Sequence, residues 1–238
     1  MRRIKRTPAL VAVLAQLILA LVWSPLSVLA SRSPSDAASV TITIYSQSSD
    51  GEVLRINCED WSSCRNAVSG TVAWNNLQFG TVESGYYNSK YHVKRLFLFF
   101  DTSTIPANAS IDSAVLHIYA GQFPRGDSRV HLVRSTASTS LSTSDFAHLE
   151  FTSGGSTPTV ANSWATINLN SNGLAWITKG GTTRLALANS NDVSNVAPTI
   201  NNSIDIGLAE SGTYHPYLTV TYSLGGQFTL YLPSVMAP

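Results

Sequence analysis

Short runs of alternating apolar and polar residues, separated by clusters of turn-forming residues, constrain the fold of this 238-residue chain most strongly. In residues 113–120 the even-numbered residues are apolar and point to one face of a strand, whereas His117 and Tyr119 point to the other. Five consecutive apolar residues at 96–100 indicate a central strand that is covered on both faces. Further strand-like runs occupy residues 40–46, 53–58, 129–134, 184–188, 203–209 and 217–222.

One segment has the pattern of a helix. Residues 170–178 fit about two helical turns, with Asn170 or Ser171 as the N-cap. Residues 66–92 are rich in Asn, Gly, Ser and Tyr, and we expect them to form a long connection with one strand near 71–74. Many short strands with little helix predict an all-β fold, an antiparallel two-sheet β-sandwich with one short helix.

Residues 1–30 have the pattern of a secretory signal peptide. A basic start precedes an apolar run of about 15 residues at 9–23, and Val28 and Ala30 are suitable small residues before a cleavage site. The alternative is an anchor that stays in the membrane, but the run is shorter than the ~20 residues that span a bilayer. We therefore expect cleavage near Ala30, a secreted or cell-surface location, and no transmembrane segment in the mature protein.

The net charge argues against nucleic acid as a partner. The whole chain carries 15 Lys and Arg against 14 Asp and Glu. The predicted leader holds four of the basic residues and no acid, so residues 31–238 carry 11 basic and 14 acidic residues, a net charge of −3. Such a domain has no electrostatic attraction for a polyanion.

The mature sequence divides into three parts by composition. Residues 31–39 are small and polar and predict a flexible lead-in. Residues 40–223 show no internal repeat and no change of composition, which indicates one β-sandwich domain. Residues 224–238 form a C-terminal tail, for which either packing on the sandwich or a role in export or attachment is consistent with the sequence.

Cys58 and Cys64 are the two cysteines of the chain, six positions apart. In an oxidising compartment such a pair predicts one small disulfide loop. A zinc site would need further His or Cys ligands at suitable spacing, and none lies near in the sequence.

Aromatic residues concentrate between positions 59 and 92, among amides and a lysine. Aromatic rings can stack on the C–H faces of sugars, while polar groups bind the hydroxyls. This clustering predicts a ligand site formed by Trp74, Tyr86, Tyr87, Asn88, Lys90 and Tyr91. The alternative is structural: Trp74 closes one end of the sandwich, and the tyrosines pack against the sandwich. For Trp61 we expect packing over the disulfide.

No sequence motif for catalysis is present. The chain lacks a His-Glu-x-x-His motif, a Gly-x-Ser-x-Gly elbow and a phosphate-binding loop, so we expect no enzymatic activity. No organic cofactor is expected. Structural calcium is the one candidate ion, with Asp50, Glu52, Glu59 and Asp60 as candidate ligands, although no motif fixes their arrangement.

One segment resembles a known family. Arg95 opens an apolar strand that ends in Phe100-Asp101, and a turn with Ile105-Pro106 follows before Ile-x-Ser-Ala-x-Leu and a further strand to Tyr119. This arrangement resembles the signature of the DNRLRE, or disaggregatase-related, domain family. Weaker resemblance extends over most of residues 50–222 and includes 60–70, Trp164, the helical segment with Trp176, and 215–222.

The resemblance implies a jelly-roll-like β-sandwich that serves as an accessory module of secreted or surface proteins. Some relatives are carbohydrate-binding modules for acidic or mixed polysaccharides. Within the signature we expect structural roles. Arg95 pairs with a carboxylate, for which Asp101 is a candidate, Asp101 also binds backbone amides at the strand end, and Pro106 sets a turn. Trp164 and Trp176 are expected in the core.

Together these patterns predict a secreted, non-catalytic β-sandwich that binds extracellular or cell-surface polysaccharide. The alternative is a structural or adhesive envelope protein that contacts protein partners, and a polysaccharide-acting enzyme is the third possibility. If the polysaccharide is acidic, the mature charge of −3 requires local recognition by residues such as Lys90, Lys94 or Arg125.

Overall fold

A computed structural model describes residues 39–73, 78–158 and 161–225, which all belong to one compact unit, Ala37–Pro238. The predicted signal peptide, Trp74 and the tail beyond residue 225 lie outside the described residues. The strands are β1 Ser39–Tyr45, β2 Gly51–Cys58, β3 Thr71–Ala73, β4 Phe79–Tyr87, β5 Lys90–Asp101, β6 Ala109–Ala120, β7 Val130–Ser135, β8 Leu149–Thr157, β9 Ser163–Asn168, β10 Thr182–Asn189, β11 Asn202–Gly207 and β12 Tyr217–Leu224.

All strand pairings among the described residues are antiparallel. The hydrogen-bonded order is β1-β12-β6-β11-β4-β5-β10-β7-β8, with β9 beside β6, β2 beside β5 and β3 beside β2. The predicted fold class, an all-β antiparallel sandwich, is confirmed.

Strand β5 pairs with three other strands in one layer of the sandwich. Its residues Leu96 and Phe97 pair with both β2 and β10, so these two strands lie on opposite edges of β5. The first part of β5, up to Lys94, pairs with both β2 and β4, so β4 lies on the edge of β5 opposite to β2. Strands β4 and β10 therefore lie along the same edge of β5. A strand with partners along both edges and apolar residues on both faces must be central, as the sequence predicted.

Two hydrophobic cores lie on opposite faces of β5. Leu96, Leu98 and Phe100 belong to the main core, which also receives apolar side chains from β6, β9, β11 and β12. Phe97 and Phe99 belong to a second, smaller core on the other face, together with side chains from β10 and the disulfide loop. The alternation of side chains along a strand explains why consecutive residues enter different cores.

Arg95 lies in the second core, where its side chain is 1% exposed. Its Nε and Nη2 donate to the two carboxylate oxygens of Asp192 at 2.7 and 2.8 Å. Nη2 also donates to the carbonyl of Arg65, Nη1 donates to the carbonyl of Phe146, and the guanidinium stacks 4.0 Å from the Phe146 ring. The prediction that Asp101 pairs with Arg95 is therefore wrong, because Asp101 is at the exposed end of β5.

The rest of the predicted signature has the expected structural roles, except for one tryptophan. Asp101 accepts a hydrogen bond from the Ser103 amide at 3.0 Å, and Pro106 accepts one from the Ala109 amide in the turn before β6. Trp176 packs against the main core. Trp164 is 42% exposed, so its predicted core position is wrong: β9 alternates, and Ala165 and Ile167 face inward instead.

Among the residues that the structure describes, three short helices and two 3₁₀ turns connect the strands. The predicted helix is α2 (Ser171–Ala175), and the Asn170 side chain caps it by accepting from the amides of Asn172 and Gly173. The helices α1 (Trp61–Arg65) and α3 (Ser190–Ser194) were not predicted. The 3₁₀ turns span Thr143–Ala147 and Ala209–Ser211. Within the described ranges, no helix has the length and apolar character needed to cross a membrane.

The segment 66–92 is not the long connection that its composition predicts. It contains β3, β4 and a two-residue turn at Asn88-Ser89 that leads into β5. The glycines that suggested a loop lie inside β4: a Cβ atom on Gly80 would lie 2.4 Å from Leu96 Cδ2. They are there because neighbouring side chains approach the strand closely, not because the chain turns.

The disulfide prediction is confirmed. Cys58 ends β2 and Cys64 lies in α1, and their Cα atoms are 5.4 Å apart across the bond. Trp61 is buried in the same second core, with its indole N–H donating to Asn195 at 3.2 Å. The packing of Trp61 beside the disulfide is thus as predicted.

Candidate functional site

A continuous row of aromatic rings lies on the outer surface of the layer that contains β1, β12, β6 and β9. We call this the aromatic face, and it consists of Tyr45, Phe79, Tyr119, Trp164, Tyr214 and Tyr217. Along it, ring centroids are 5.6 Å apart for Tyr45 and Tyr217, 5.5 Å for Tyr217 and Trp164, and 5.7 Å for Trp164 and Tyr119. These separations are typical of tilted and edge-to-face aromatic contacts.

Strand register brings these rings together. Tyr45 lies opposite Tyr217 in the β1–β12 pair, and Tyr119 lies opposite Trp164 in the β6–β9 pair. His117, opposite Tyr217 in the β6–β12 pair, stacks on its ring at 4.2 Å. Directly opposed residues in antiparallel strands share a face, so four strands distant in sequence place their rings side by side.

Two rings of the aromatic face are open to solvent, with Tyr45 57% and Trp164 42% exposed. Tyr119 is almost buried, because its ring stacks on Tyr214 at 3.8 Å. The exposed rings are therefore held by a layer of packed rings below and beside them, which limits the side-chain entropy lost when a ligand binds.

A pocket of about 350 Å³ opens at one end of the aromatic face. Its lining residues are Phe79, Tyr119, Gly121, Gln122, Phe123, Asn162, Asp205 and Tyr214. Phe123 is 74% exposed at the rim. Asn162 Oδ1 accepts a hydrogen bond from the Tyr119 hydroxyl at 2.7 Å, and Asp205 Oδ1 accepts one from the Thr81 hydroxyl at 2.8 Å. The pocket thus combines ring surfaces with oriented polar groups.

The pKa shifts of Tyr119, in the aromatic face, and of the neighbouring His117 favour their uncharged forms. Desolvation, together with the neighbouring Tyr214 hydroxyl, raises the pKa of Tyr119. Burial lowers the pKa of His117, which favours its uncharged imidazole. The face can therefore offer uncharged π surfaces to a ligand.

The predicted ligand site lies elsewhere, at the β4–β5 hairpin, and its tyrosines do not share one surface. Tyr86 lies opposite Tyr91, with ring centroids 4.8 Å apart, and Tyr91 contacts Trp61 at 6.0 Å. Tyr87 points to the other face of the hairpin and stacks on His92 at 3.9 Å. All three rings are partly buried in these contacts.

The polar members of the predicted site have structural partners. Asn88 forms the hairpin turn with a φ of 50°, and Lys90 forms an ion pair with Glu59. Trp74 lies outside the described residues. The structure therefore places Tyr86 and Tyr91 on one face of the hairpin and Tyr87 and Lys90 on the other, so they do not form the single platform that the sequence suggested.

The four candidate calcium ligands do not form a common site. Asp50 accepts from Ser46 Oγ, Glu52 accepts from the Thr81 amide, Glu59 pairs with Lys90, and Asp60 caps α1. In the described parts of the chain, no group of three or more His, Cys, Asp or Glu side chains is arranged to hold a metal ion. The residues present do not fit the predicted calcium site.

The pKa shifts of these acids have local causes. Burial raises the pKa of Asp50 to about 7, although hydrogen bonds from Ser46 and Ala209 act in the opposite direction. Burial also raises the pKa of Glu52. Hydrogen bonds from Ser63 lower the pKa of the exposed Asp60 carboxyl. Asp50 is fully buried and Glu52 is nearly so, which keeps both away from any surface ligand.

Sequence reasoning missed the aromatic face, although part of its signal is visible in the sequence. The alternation around His117 and Tyr119 marks them as outward-facing on β6. The same alternation from Trp164 to Ile167 marks Trp164 as outward-facing on β9. What the sequence does not contain is the pairing of these strands, which decides that the outward rings meet.

Comparison with known proteins adds little to this description. No family model matches the chain, and no curated protein matches it. One matching solved structure is the cryo-EM structure of mud crab tombus-like virus, with 10% identity over 95% of this chain and 93% of that chain, at a TM-score of 0.29. At this TM-score the likeness supports no inference about fold or function.

Proposed function

We propose that this protein is a secreted, non-catalytic β-sandwich module that binds extracellular or cell-surface polysaccharide through its aromatic face. The observation that carries the proposal is the row of partly exposed rings that leads to a pocket with polar lining. Trp164 is the central element, because it is exposed and lies between Tyr217 and Tyr119.

Aromatic rings and polar groups have complementary tasks in binding a sugar chain. The C–H faces of pyranose rings stack on exposed aromatic side chains, and the ring spacing along the aromatic face permits contacts with more than one sugar. Asn162, Gln122 and Asp205 at the pocket supply hydrogen-bonding groups for hydroxyls. An open, partly polar surface of this kind suits an extended polymer better than a small enclosed ligand.

Secretion is supported by independent features. The predicted leader at residues 1–30 directs export, and the Cys58–Cys64 disulfide suits an oxidising compartment. The resemblance of residues 95–119 to the DNRLRE family agrees with an extracellular accessory module. We propose membership of that family on the sequence signature alone.

The absence of catalysis is part of the proposal. Asp50 and Glu52, the carboxyl groups whose pKa values burial raises, are hydrogen-bonded to Ser46 and the Thr81 amide, and their burial keeps a substrate away from them. Asp205, which lines the pocket, has no second carboxylate among the described lining residues with which to act as an acid–base pair.

Affinity electrophoresis tests the proposal. The protein is run in native gels that each contain one soluble polysaccharide, and we expect at least one polymer to retard it. Trp164→Ala should weaken this retardation up to about ten-fold, because one aromatic contact contributes ~0.5–1.5 kcal/mol. The melting temperature should fall by only a few degrees, because Trp164 is 42% exposed and the substitution removes only its surface contacts with Tyr119 and Tyr217.

Tyr86→Ala is the matched control, since it removes a half-buried ring from the β4–β5 hairpin. Retardation of this variant should equal that of the unmodified protein. If Tyr86→Ala loses retardation and Trp164→Ala keeps it, the hairpin is the site and the proposal is wrong. A protein that no polysaccharide retards would favour the alternative, an envelope protein whose aromatic face contacts a protein partner.

A further inference from the structure

The pocket at the end of the aromatic face has a definite charge. Of its described lining residues, Asp205 alone is charged, and it is exposed. Glu52 lies close enough for the charge of Asp205 to contribute to raising its pKa, after the larger effect of burial. The one charge among the described lining residues is therefore negative, which favours a cation over a carboxylate or a sulfate.

The walls of the same pocket are suited to a cation. The ring centroid of Phe79 lies 6.4 Å from that of Tyr119 and 5.6 Å from that of Tyr214, so three rings meet in the wall of the pocket. Phe123 adds a fourth, mostly exposed ring at the rim. The negative face of an aromatic ring attracts an ammonium group, and several rings with one carboxylate form the usual site for a substituted ammonium ion.

We infer that this pocket binds a positively charged ammonium group, so that the polysaccharide recognised by the protein carries free amino groups. The inference rests on the proposed function and names its ligand class. The amine would lie between the rings of Phe79, Tyr214 and Phe123, with Asp205 as its counter-ion, while neighbouring sugars stack on Trp164 and Tyr45. Acidic polysaccharides should be rejected, because no described lining residue is a Lys or Arg.

Two small probes test the pocket itself. Choline carries a quaternary ammonium, and 3,3-dimethyl-1-butanol has the same shape without the charge. Titration of each into the ¹⁵N-labelled protein, followed by NMR, should show saturable shifts around the pocket for choline. The neutral analogue should bind at least about five-fold more weakly, because a cation–π contact contributes on the order of 1 kcal/mol.

Asp205→Asn should weaken choline binding at least about five-fold, in line with the loss of a counter-ion beside the rings. Asp112→Asn is the matched control: it removes an equal charge at the opposite end of β6 and should leave choline binding unchanged. Equal binding of choline and its neutral analogue would overturn the inference. Equal choline affinity in Asp205→Asn and the unmodified protein would overturn it as well.

Polymers then identify the source of the amine. Chitosan should retain the protein more strongly than its acetylated counterpart, chitin, at a pH near 6 that keeps the amines charged, and Asp205→Asn should remove the difference. If both polymers retain the protein equally through Trp164, the proposed function stands and the inference is wrong. If choline binds but no polysaccharide is retained, the pocket binds ammonium and the proposed function is wrong.

Discussion

At the scale of single residues, Arg95 shows how a buried charge is stabilised in this fold. Removal of a guanidinium from water is costly, and the cost is offset by good ion-pair geometry and additional hydrogen bonds. Here Asp192 binds it through both oxygens, two carbonyls accept one hydrogen bond each, and the Phe146 ring covers it. The group connects β5, α1 and α3, so its role is to hold these elements together.

Asp192→Asn should lower the free energy of unfolding by about 3–5 kcal/mol, because it leaves Arg95 as an uncompensated buried charge. Urea denaturation at neutral pH measures the change. Glu150→Gln is the control, because it disrupts the exposed Arg134–Glu150 pair and should cost about 1 kcal/mol or less. Equal effects of the two substitutions would contradict this description of the Arg95 network.

Asp50 is the residue whose ionisation should make stability depend on pH. Its pKa is about 7 in the folded protein, chiefly through burial, against 3.8 for an ordinary aspartate. Between these two values the folded protein holds a proton that the unfolded chain has released. The contribution of Asp50 to stability is therefore full at low pH, falls as pH rises through this window, and stays constant above it.

Asp50→Asn removes this titration and tests it. From about pH 5 to about pH 7, the unfolding free energy of the unmodified protein should fall relative to that of the variant by about 1 kcal/mol per pH unit. Above about pH 8 the difference should be constant. A difference that is the same at every pH would show that Asp50 titrates normally.

At the scale of elements, the turn of the β4–β5 hairpin has a serine at a position that favours glycine. Asn88 and Ser89 both adopt left-handed conformations, with φ of 50° and 58°, as a two-residue hairpin turn requires. Asparagine tolerates this conformation, but serine does so at a steric cost that glycine avoids.

Ser89→Gly should therefore stabilise the protein by up to about 1 kcal/mol, since the resulting Asn-Gly pair is the preferred sequence for this turn. Thermal denaturation measures the change. Ser110→Gly, within β6, is the control and should destabilise by about 0.5–1 kcal/mol, because a glycine in a strand costs backbone entropy. Destabilisation by Ser89→Gly would mean that the turn is not strained.

The elements that sequence patterns predicted are those whose side chains alternate or form an apolar run. Strands β1, β2, β3, β5, β6, β7, β10, β11 and β12 were predicted, and helix α2 was predicted with its Asn170 cap. Strand β4 was missed because glycines are typical of turns in sequence. In the structure, Gly80 instead allows close packing of the strand against Leu96. Strand β8 was also missed, because six of its nine residues are Ser, Thr or Gly. Strand β9 was missed although its residues alternate.

At the scale of the whole molecule, the fold class was predictable but the candidate site was not. The sandwich follows from many short strands, which local patterns reveal. The aromatic face depends on pairings such as Tyr45 with Tyr217 and Tyr119 with Trp164, between residues far apart in the chain. The pairing of Arg95 with Asp192 rather than Asp101 was hidden for the same reason.

The most direct test of the proposed function is a binding isotherm measured by calorimetry. The ligand is a fragment of the polysaccharide that retains the protein, and the comparison is with the double variant Tyr45→Ala/Trp164→Ala. Both rings are partly exposed, so the variant should remain folded at the temperature of the titration, although the loss of ring contacts lowers its melting temperature. We predict saturable binding to the unmodified protein and a loss of up to about a hundred-fold in the variant, from two aromatic contacts. Equal affinity of the two proteins would show that the aromatic face is not the binding surface.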